Sequence, residues 1–287
     1  MTTIKKLSKD SRPVKRRRLG TLLLEIFLSL VALIQLFPLI WMLFFSLKTN
    51  EELFGANVVG LPWGLEWENY SRVFADGNIG RYLINSTIIA LVTILATGFL
   101  SAMAAFAVTR MKWRLSKAVY VVFLMGMMVP VHATLLPLFI TLKPVLNTYW
   151  ALIIPYIGFA LPLSFLVLSG YCSAIPRELE ESACLDGANI YQIFGVITVP
   201  LIRPALATVS ILTYLSSWNE LMFAITFVNR EIYKTVPFGI MSMEGRYATK
   251  WGPIGAGLVV ATIPTIILYV MLSEQIQSSL AAGALKG

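Results

Sequence analysis

The sequence predicts an all-α, polytopic membrane protein with six transmembrane helices and both termini on the inner side, and three observations carry that fold class. Hydrophobic residues make up 57% of the 287 and charged residues 13%, with a mean hydropathy of +0.75, too apolar for a soluble domain of this length. Apolar runs of roughly twenty residues, the length of helix that a ~30 Å hydrocarbon layer requires, recur along the chain. Between the fourth and fifth of them lies an acid-bearing island, residues 175–203, too polar to cross a bilayer.

Residues 1–20 form a basic tail holding eight of the 23 Lys and Arg residues. They stand directly before an apolar run, so the net charge of +8 sets membrane orientation and no nucleic-acid partner is expected. No small-residue cleavage site follows that run, which reads as an uncleaved first span, 22–47. Residues 48–81, with five acids and Pro62, read as an extracytoplasmic loop carrying a short surface helix over Glu68 to Phe74. Further spans are expected at 83–108, 118–142, 150–171, 205–228 and 254–272, so that 21–287 make one transmembrane domain. With both termini inside, fifteen Lys and Arg face inward and eight outward, in agreement with the positive-inside rule.

Several spans contain helix breakers: Pro130 and Pro137 in the third, Pro155 and Pro162 in the fourth, Pro264 in the sixth. Such breaks are tolerated where neighbouring helices or water satisfy the freed carbonyls, and together they suit a bundle that changes shape. Small residues over Ala102 to Ala107 permit close helix approach. Cys172 and Cys184 both fall at the inner edge and imply no disulfide framework. His132 has no partner visible in the sequence and reads as structural; no frame for a zinc, thiol, nucleotide or serine-hydrolase site occurs, so no catalytic or metal-ligating residue is expected.

In the island, Pro176 opens a helix whose first turns carry Glu178, Glu180 and Glu181, where carboxylates suit the positive end of the macrodipole. Gly187 can take the left-handed conformation that ends such a helix, Asn189 can cap a second, and Pro200 and Pro204 punctuate the return to the membrane. A helix–turn–helix knob on the membrane surface follows.

Glu181-Ser182-Ala183, then Gly187 with Asp186 before it, then Ile197-Thr198-Val199-Pro200, resembles the EAA signature of permease subunits of ABC importers. The segments Asp186-Gly187-Ala188 and Pro200 to Ala207 look like the carbohydrate-importing, maltose-permease-like branch; Ser182 and Val199 depart from the signature by small changes of shape. The fifth span carries Trp218-Asn219-Glu220, similar to a Trp-Asn-(Asp/Glu) cluster of sugar permeases. An ionisable residue inside an apolar run is costly and usually faces protein or a water-filled path.

The resemblance implies a prokaryotic cell-membrane location and alternating access with a second homologous permease, an ATPase dimer and an extracytoplasmic substrate-binding protein. ATP and Mg would then belong to the ATPase, with none on this chain. Glu181, Ser182, Ala183, Asp186, Gly187, Ile197 and Pro200 would form the ATPase contact. Trp218, Asn219 and Glu220 would line the substrate path, Trp218 by stacking on a sugar ring, or pack against the partner permease. Rival readings are a proton-coupled secondary carrier relaying through Glu220 and His132, and an intramembrane enzyme, for which paired catalytic groups are missing. Orientation is checked by cysteine scanning with an impermeant reagent: positions near Glu66 and Glu244 should label from outside, and positions near Lys112 and Glu181 only once the membrane is opened.

Overall fold

The computed structural model describes residues 19–284 except 56, 112 and 247–250, so the basic tail through residue 18, Lys112, Tyr247 and the last three residues lie outside the description. The chain is helical throughout, with no strand among the described residues. Helix α1, Leu19–Ser46, is the first expected span. A loop holding the short α2, Asn50–Phe54, and α3, Glu68–Ala75, leads to α4, Ile79–Arg110, and the surface helix expected over 68–74 is α3.

The third span is not the continuous helix expected over 118–142. Helix α5, Ser116–Gly126, ends, the chain turns by 95°, and a 3₁₀ turn at Val131–Thr134 leads into α6, Leu135–Thr141. Pro130 supplies the reason: it has no N–H for the ladder and drives Val129 out of the helical region. Gly126 rests against the Pro162 ring, where a Cβ would lie 2.9 Å from the proline Cγ.

Helix α7, Trp150–Ala174, absorbs both Pro155 and Pro162 without a break. It runs parallel to α4: Tyr149, just before α7, donates to Asn85 Oδ1 at 2.8 Å, while at the other end Arg110 reaches the carbonyls of Cys172 and Ile175. Between these ties the small faces of α4, Ser101, Ala102 and Ala105, are fully buried, Ala102 and Ala105 against Phe165 and Leu168 of α7, the close approach that the alanines permit.

The island follows as α8, Arg177–Leu185, and then a helical run over Ile190–Leu201, made of α9, Ile190–Gln192, a π-helical turn at Ile193–Thr198, and α10, Val199–Leu201. The chain bends by 74° at Ile202 into α11, Arg203–Trp218. The fifth span also departs from expectation: helix does not continue to Val228 but stops at Trp218 and restarts as α12, Met222–Phe227. The Glu220 carboxylate takes the N–H groups of Met222 and Phe223, which replaces the ladder bonds there.

Helix α13, Val236–Arg246, and α14, Trp251–Ala284, complete the chain. Among the described residues four helices are long and apolar enough to cross a membrane, and two bent pairs bring the total to six if each counts as one crossing. The loop between α12 and α13 is pinned at the end of the bundle far from the island. Asn147, at φ 59°, accepts the N–H groups of Asn229 and Arg230, and Asn85 donates to the carbonyls of Ile232 and Lys234 at 2.9 and 2.8 Å.

At that same end Lys48 and Glu52 organise the first loop. The Lys48 ammonium, buried, donates to the carbonyls of Asn57 and Val58 at 2.6 and 3.2 Å. Glu52 accepts from the Trp63 N–H at 2.5 Å, the Asn57 side-chain amide at 3.2 Å and the Thr49 N–H at 3.2 Å. Burial by itself raises the Glu52 carboxyl; the Trp63 and Thr49 N–H groups, the Asn57 amide and nearby Lys48 outweigh it, and the net pKa lies below the ordinary carboxylate value. The unfolded loop then takes up a proton first, so the stabilisation is present above the ordinary carboxylate pKa and is lost as pH falls from that value through the lowered one. Protection of the Trp63 amide, its exchange rate set against the intrinsic rate at each pH, should fall over that acid window in the wild type, and Glu52→Gln should be poorly protected already at neutral pH with the acid step removed.

Candidate functional site

Two groups of residues stand out by their geometry, one at each end of the fifth span. The first is the knob. Helix α8 starts one residue after Pro176, whose extended backbone, φ −59° and ψ 136°, serves as its N-cap. Its carboxylates divide between two faces. Glu180 turns inward and meets Arg110 Nε at 2.6 Å, while Glu181, about 100° further round the helix, is exposed. The Arg110 side chain is 4% exposed and also donates from Nη1 to the carbonyls of Cys172 and Ile175 at 3.3 and 3.1 Å. One guanidinium therefore ties the last turns of α4 and α7 to the first turn of α8. A buried cation requires such partners, since each unpaired charge away from water carries a large desolvation cost.

Gly187 closes α8 at φ 83°, in the left-handed region, with the Ala188 N–H on the Ala183 carbonyl at 2.9 Å and the Gly187 N–H on that of Cys184 at 3.1 Å. Asn189 then caps the second helix as the sequence suggested: its Oδ1 accepts the N–H groups of Tyr191 and Gln192 at 3.0 Å, and Gln192 accepts the Asn189 N–H at 2.8 Å. The pair is seated on the bundle by Ile193, which is buried, and by Phe194, whose ring lies 5.3 Å from that of Phe106.

Of the residues singled out in the island, Ser182, Asp186, Gly187 and Pro200 are exposed with Glu181, and Ala183 and Ile197 are half-buried. Around them Leu185 is 90% exposed, Tyr191 81% and Val196 73%. A cleft between the two helices is lined by Ala183, Asp186, Gly187, Ala188, Val196 and Ile197. Large apolar side chains beside carboxylates on a rigid helix pair make a surface suited to contact with another protein.

The second group is the break after α11. Glu220 accepts three hydrogen bonds, from the N–H groups of Met222 and Phe223 at 3.0 and 2.9 Å and from the Tyr156 hydroxyl at 3.0 Å, and His132 Nε2 lies 3.5 Å from it. The two bent spans and α7 thus meet at one carboxylate. His132, read from the sequence as a histidine without a partner, has one here. The correction reflects a pairing between residues 88 positions apart, which no local pattern announces.

Trp218 is 4% exposed, stacked on Tyr214 with ring centres 5.2 Å apart and donating to the Ala261 carbonyl at 3.3 Å. In this conformation its indole packs against α14 and, with Asn219, lines a cavity of about 590 Å³ between α11, α13 and α14. Asn219 is exposed and its amide donates to Leu215. Beneath Glu220 is a cavity of about 180 Å³ lined by Val131, Tyr156, Phe159, Thr213, Ser216 and Phe223. The residues that tie each of these two groups together and that the sequence leaves without a role are Arg110, Glu180 and Tyr156. Arg110 was counted only as one more inward-facing charge; its position as the last residue of a 32-residue apolar helix was the available signal.

With this geometry in view, comparison with known proteins is direct. The trehalose/maltose transport system permease protein MalG of Thermococcus litoralis is 37% identical over 275 residues, 94% of this chain and 98% of its own. The sulfoquinovosyl glycerol transport system permease protein SmoH of Agrobacterium fabrum is 35% identical over 254 residues, 88% of this chain and 89% of its own. Among solved structures, a chain of a bacterial ABC transporter involved in the import of the acidic polysaccharide alginate superposes with a TM-score of 0.76 at 21% identity, over 95% of this chain and all of that one. Residues 95–282 match the family described as the binding-protein-dependent transport system inner membrane component. The long apolar helices, the knob held outside them and these matches assign the chain: it belongs to that family of inner-membrane permeases of prokaryotic ABC importers.

Proposed function

We propose that the substrate of this permease is a sugar, oligosaccharide or closely related polyol derivative, and that ATP hydrolysis on separate ATPase subunits reaches it through the knob. Supporting the substrate class are full-length relatives at 35–37% identity whose names specify trehalose/maltose and sulfoquinovosyl glycerol. In this reading both termini are cytoplasmic, the two bent pairs count as crossings and make six spans, and the knob faces the cytoplasm. A second, similar permease supplies the other half of the pathway, and an extracytoplasmic binding protein delivers the sugar.

The single observation that carries the coupling role is the way the knob is built. Its outward face holds Glu181, Ser182, Asp186, Gly187 and Pro200 with Leu185 and Tyr191, while its inward face is fixed by Arg110, Phe106 and Ile193. A contact whose energy differs between two ATPase states can move such a body as a unit. The knob continues through the 74° bend into α11, whose sixteen residues reach roughly 24 Å to Trp218. Displacement there shifts Glu220 against His132 and Tyr156, beside the cavity. In this proposal Asn219 and that cavity border the substrate path, Glu220 positions the surrounding helices, and Trp218 supports them.

Gly187 provides the sharpest test. A β-branched residue held at φ 83° costs on the order of 1–3 kcal/mol. Gly187→Val should therefore cut ATPase-coupled uptake by roughly tenfold or more, and Gly187→Asn, which tolerates the left-handed region, should retain most of it. Reconstituted vesicles with the partner subunits give the readout. Uptake at wild-type rates in the valine variant defeats the coupling assignment. Uptake driven by a proton gradient without ATP, abolished by His132→Ala, would instead support the proton-coupled carrier that the His132–Glu220 pair permits.

A further inference from the structure

We propose that the loop between α1 and α3 is a lipid-seated element whose tip, Val58 to Leu61 with Trp63, rests in the headgroup and upper acyl layer of the leaflet opposite the knob. Taking that leaflet as the outer one rests on the orientation given above. The depth of the loop is fixed by its bonds to α1. Trp41 Nε1 donates to the Val58 carbonyl at 3.1 Å. Five residues of helix separate Trp41 from the end of α1 at Ser46, roughly 7 Å, and helical side chains lean toward the N-terminus, so the loop folds back down along α1 by more than a full turn. Counting about twenty residues of span from Leu22 places Trp41 at the hydrocarbon boundary. The Val58 carbonyl is therefore at the boundary as well.

The loop is held in this place from both ends. The Glu66 N–H bonds to the Leu47 carbonyl at 3.0 Å, which brings the two stems together, and Asn57 donates to the Leu61 carbonyl at 2.7 Å, which closes the tip. Lys48 turns its ammonium inward onto the carbonyls of Asn57 and Val58 and away from solvent. The outer surface that results is apolar. No charged residue occurs between Glu52 and Glu66, and Val59, Leu61, Trp63 and Leu65 are each more than half exposed, Trp63 at 72%.

A water-facing loop with this surface would expose a contiguous apolar patch. Seated at the interface, the same residues bury their apolar bodies in lipid while tryptophan sits at headgroup level, where its ring is favoured. Lipid is therefore the occupant that the depth and the composition select, and a binding protein or the partner permease is the alternative that the measurement separates from it.

Nitroxide depth measurements on the assembled transporter in lipid nanodiscs test this. Spin labels are placed singly at Val59→Cys and Leu61→Cys on a Cys184→Ser background, Cys172 being buried, with Leu39→Cys on α1 and Ser71→Cys on α3 as lipid and water references. Labels at 59 and 61 should collide several-fold more with oxygen, relative to a water-soluble nickel chelate, than the label at 71, and approach the ratio at 39. Access to nickel equal to that at 71 overturns the proposal in favour of a solvent-facing loop. Exclusion of both reagents overturns it in favour of a protein contact, with the binding protein identified if exclusion appears only on its addition. These ratios do not depend on which side is outside. Impermeant labelling of the Ser71→Cys variant in sealed vesicles reads the orientation separately, so failure of that reading and failure of the lipid seat give different results.

Discussion

Arg110 holds the transmembrane bundle and the knob to one another. Its guanidinium is withdrawn from water between three helix ends and finds a carboxylate on α8 and two carbonyls at the end of α7. Breaking a buried pair from one side leaves an uncompensated charge, typically a loss of about 3–5 kcal/mol, far more than a surface ion pair supplies. The knob's orientation is fixed by this contact and by the Phe106–Phe194 packing. An element meant to transmit movement has to be stiffer inside than at its outer contact, and these two ties supply the stiffness.

From that anchor the fifth span runs as a lever with a defined end. It starts in a π-helical turn, bends at Ile202, and stops at Trp218 where Glu220 takes over the next two backbone N–H groups. The third span stops for a different reason, a proline that cannot continue the ladder, and the two interruptions meet through His132 and Glu220. Straight helices between the two would pack as a static bundle. Interrupted ones leave a cavity and a polar junction, which is where a shape change has the least helix to deform.

At the far end the polar side chains act as fasteners. Asn85, in the second turn of α4, satisfies two carbonyls of the loop before α13, and Asn147 satisfies two N–H groups of the same loop. Lys48 and Glu52 do the same for the first loop. Irregular backbone withdrawn from water persists only where side chains supply its hydrogen bonds, and each of these residues marks such a place.

The sequence by itself determined what depends on local pattern. Apolar runs of sufficient length named the four long helices α1, α4, α7 and α14, Gly187 and Asn189 named the turn and cap of the knob, and the spacing from Glu181 through Gly187 to Pro200 named the family. These are properties of neighbouring residues, and the backbone realises them wherever the chain is placed. Only the tertiary structure decided which of two adjacent glutamates faces inward, that Trp218 is packed against α14, and that His132 meets a carboxylate from another span. It also decided where the helices break, because a proline mid-span is absorbed in α7 yet turns the chain between α5 and α6. The difference is physical: a freed carbonyl or a charged side chain is tolerated or not according to the partners that distant segments bring to it, and those partners have no address in the local sequence.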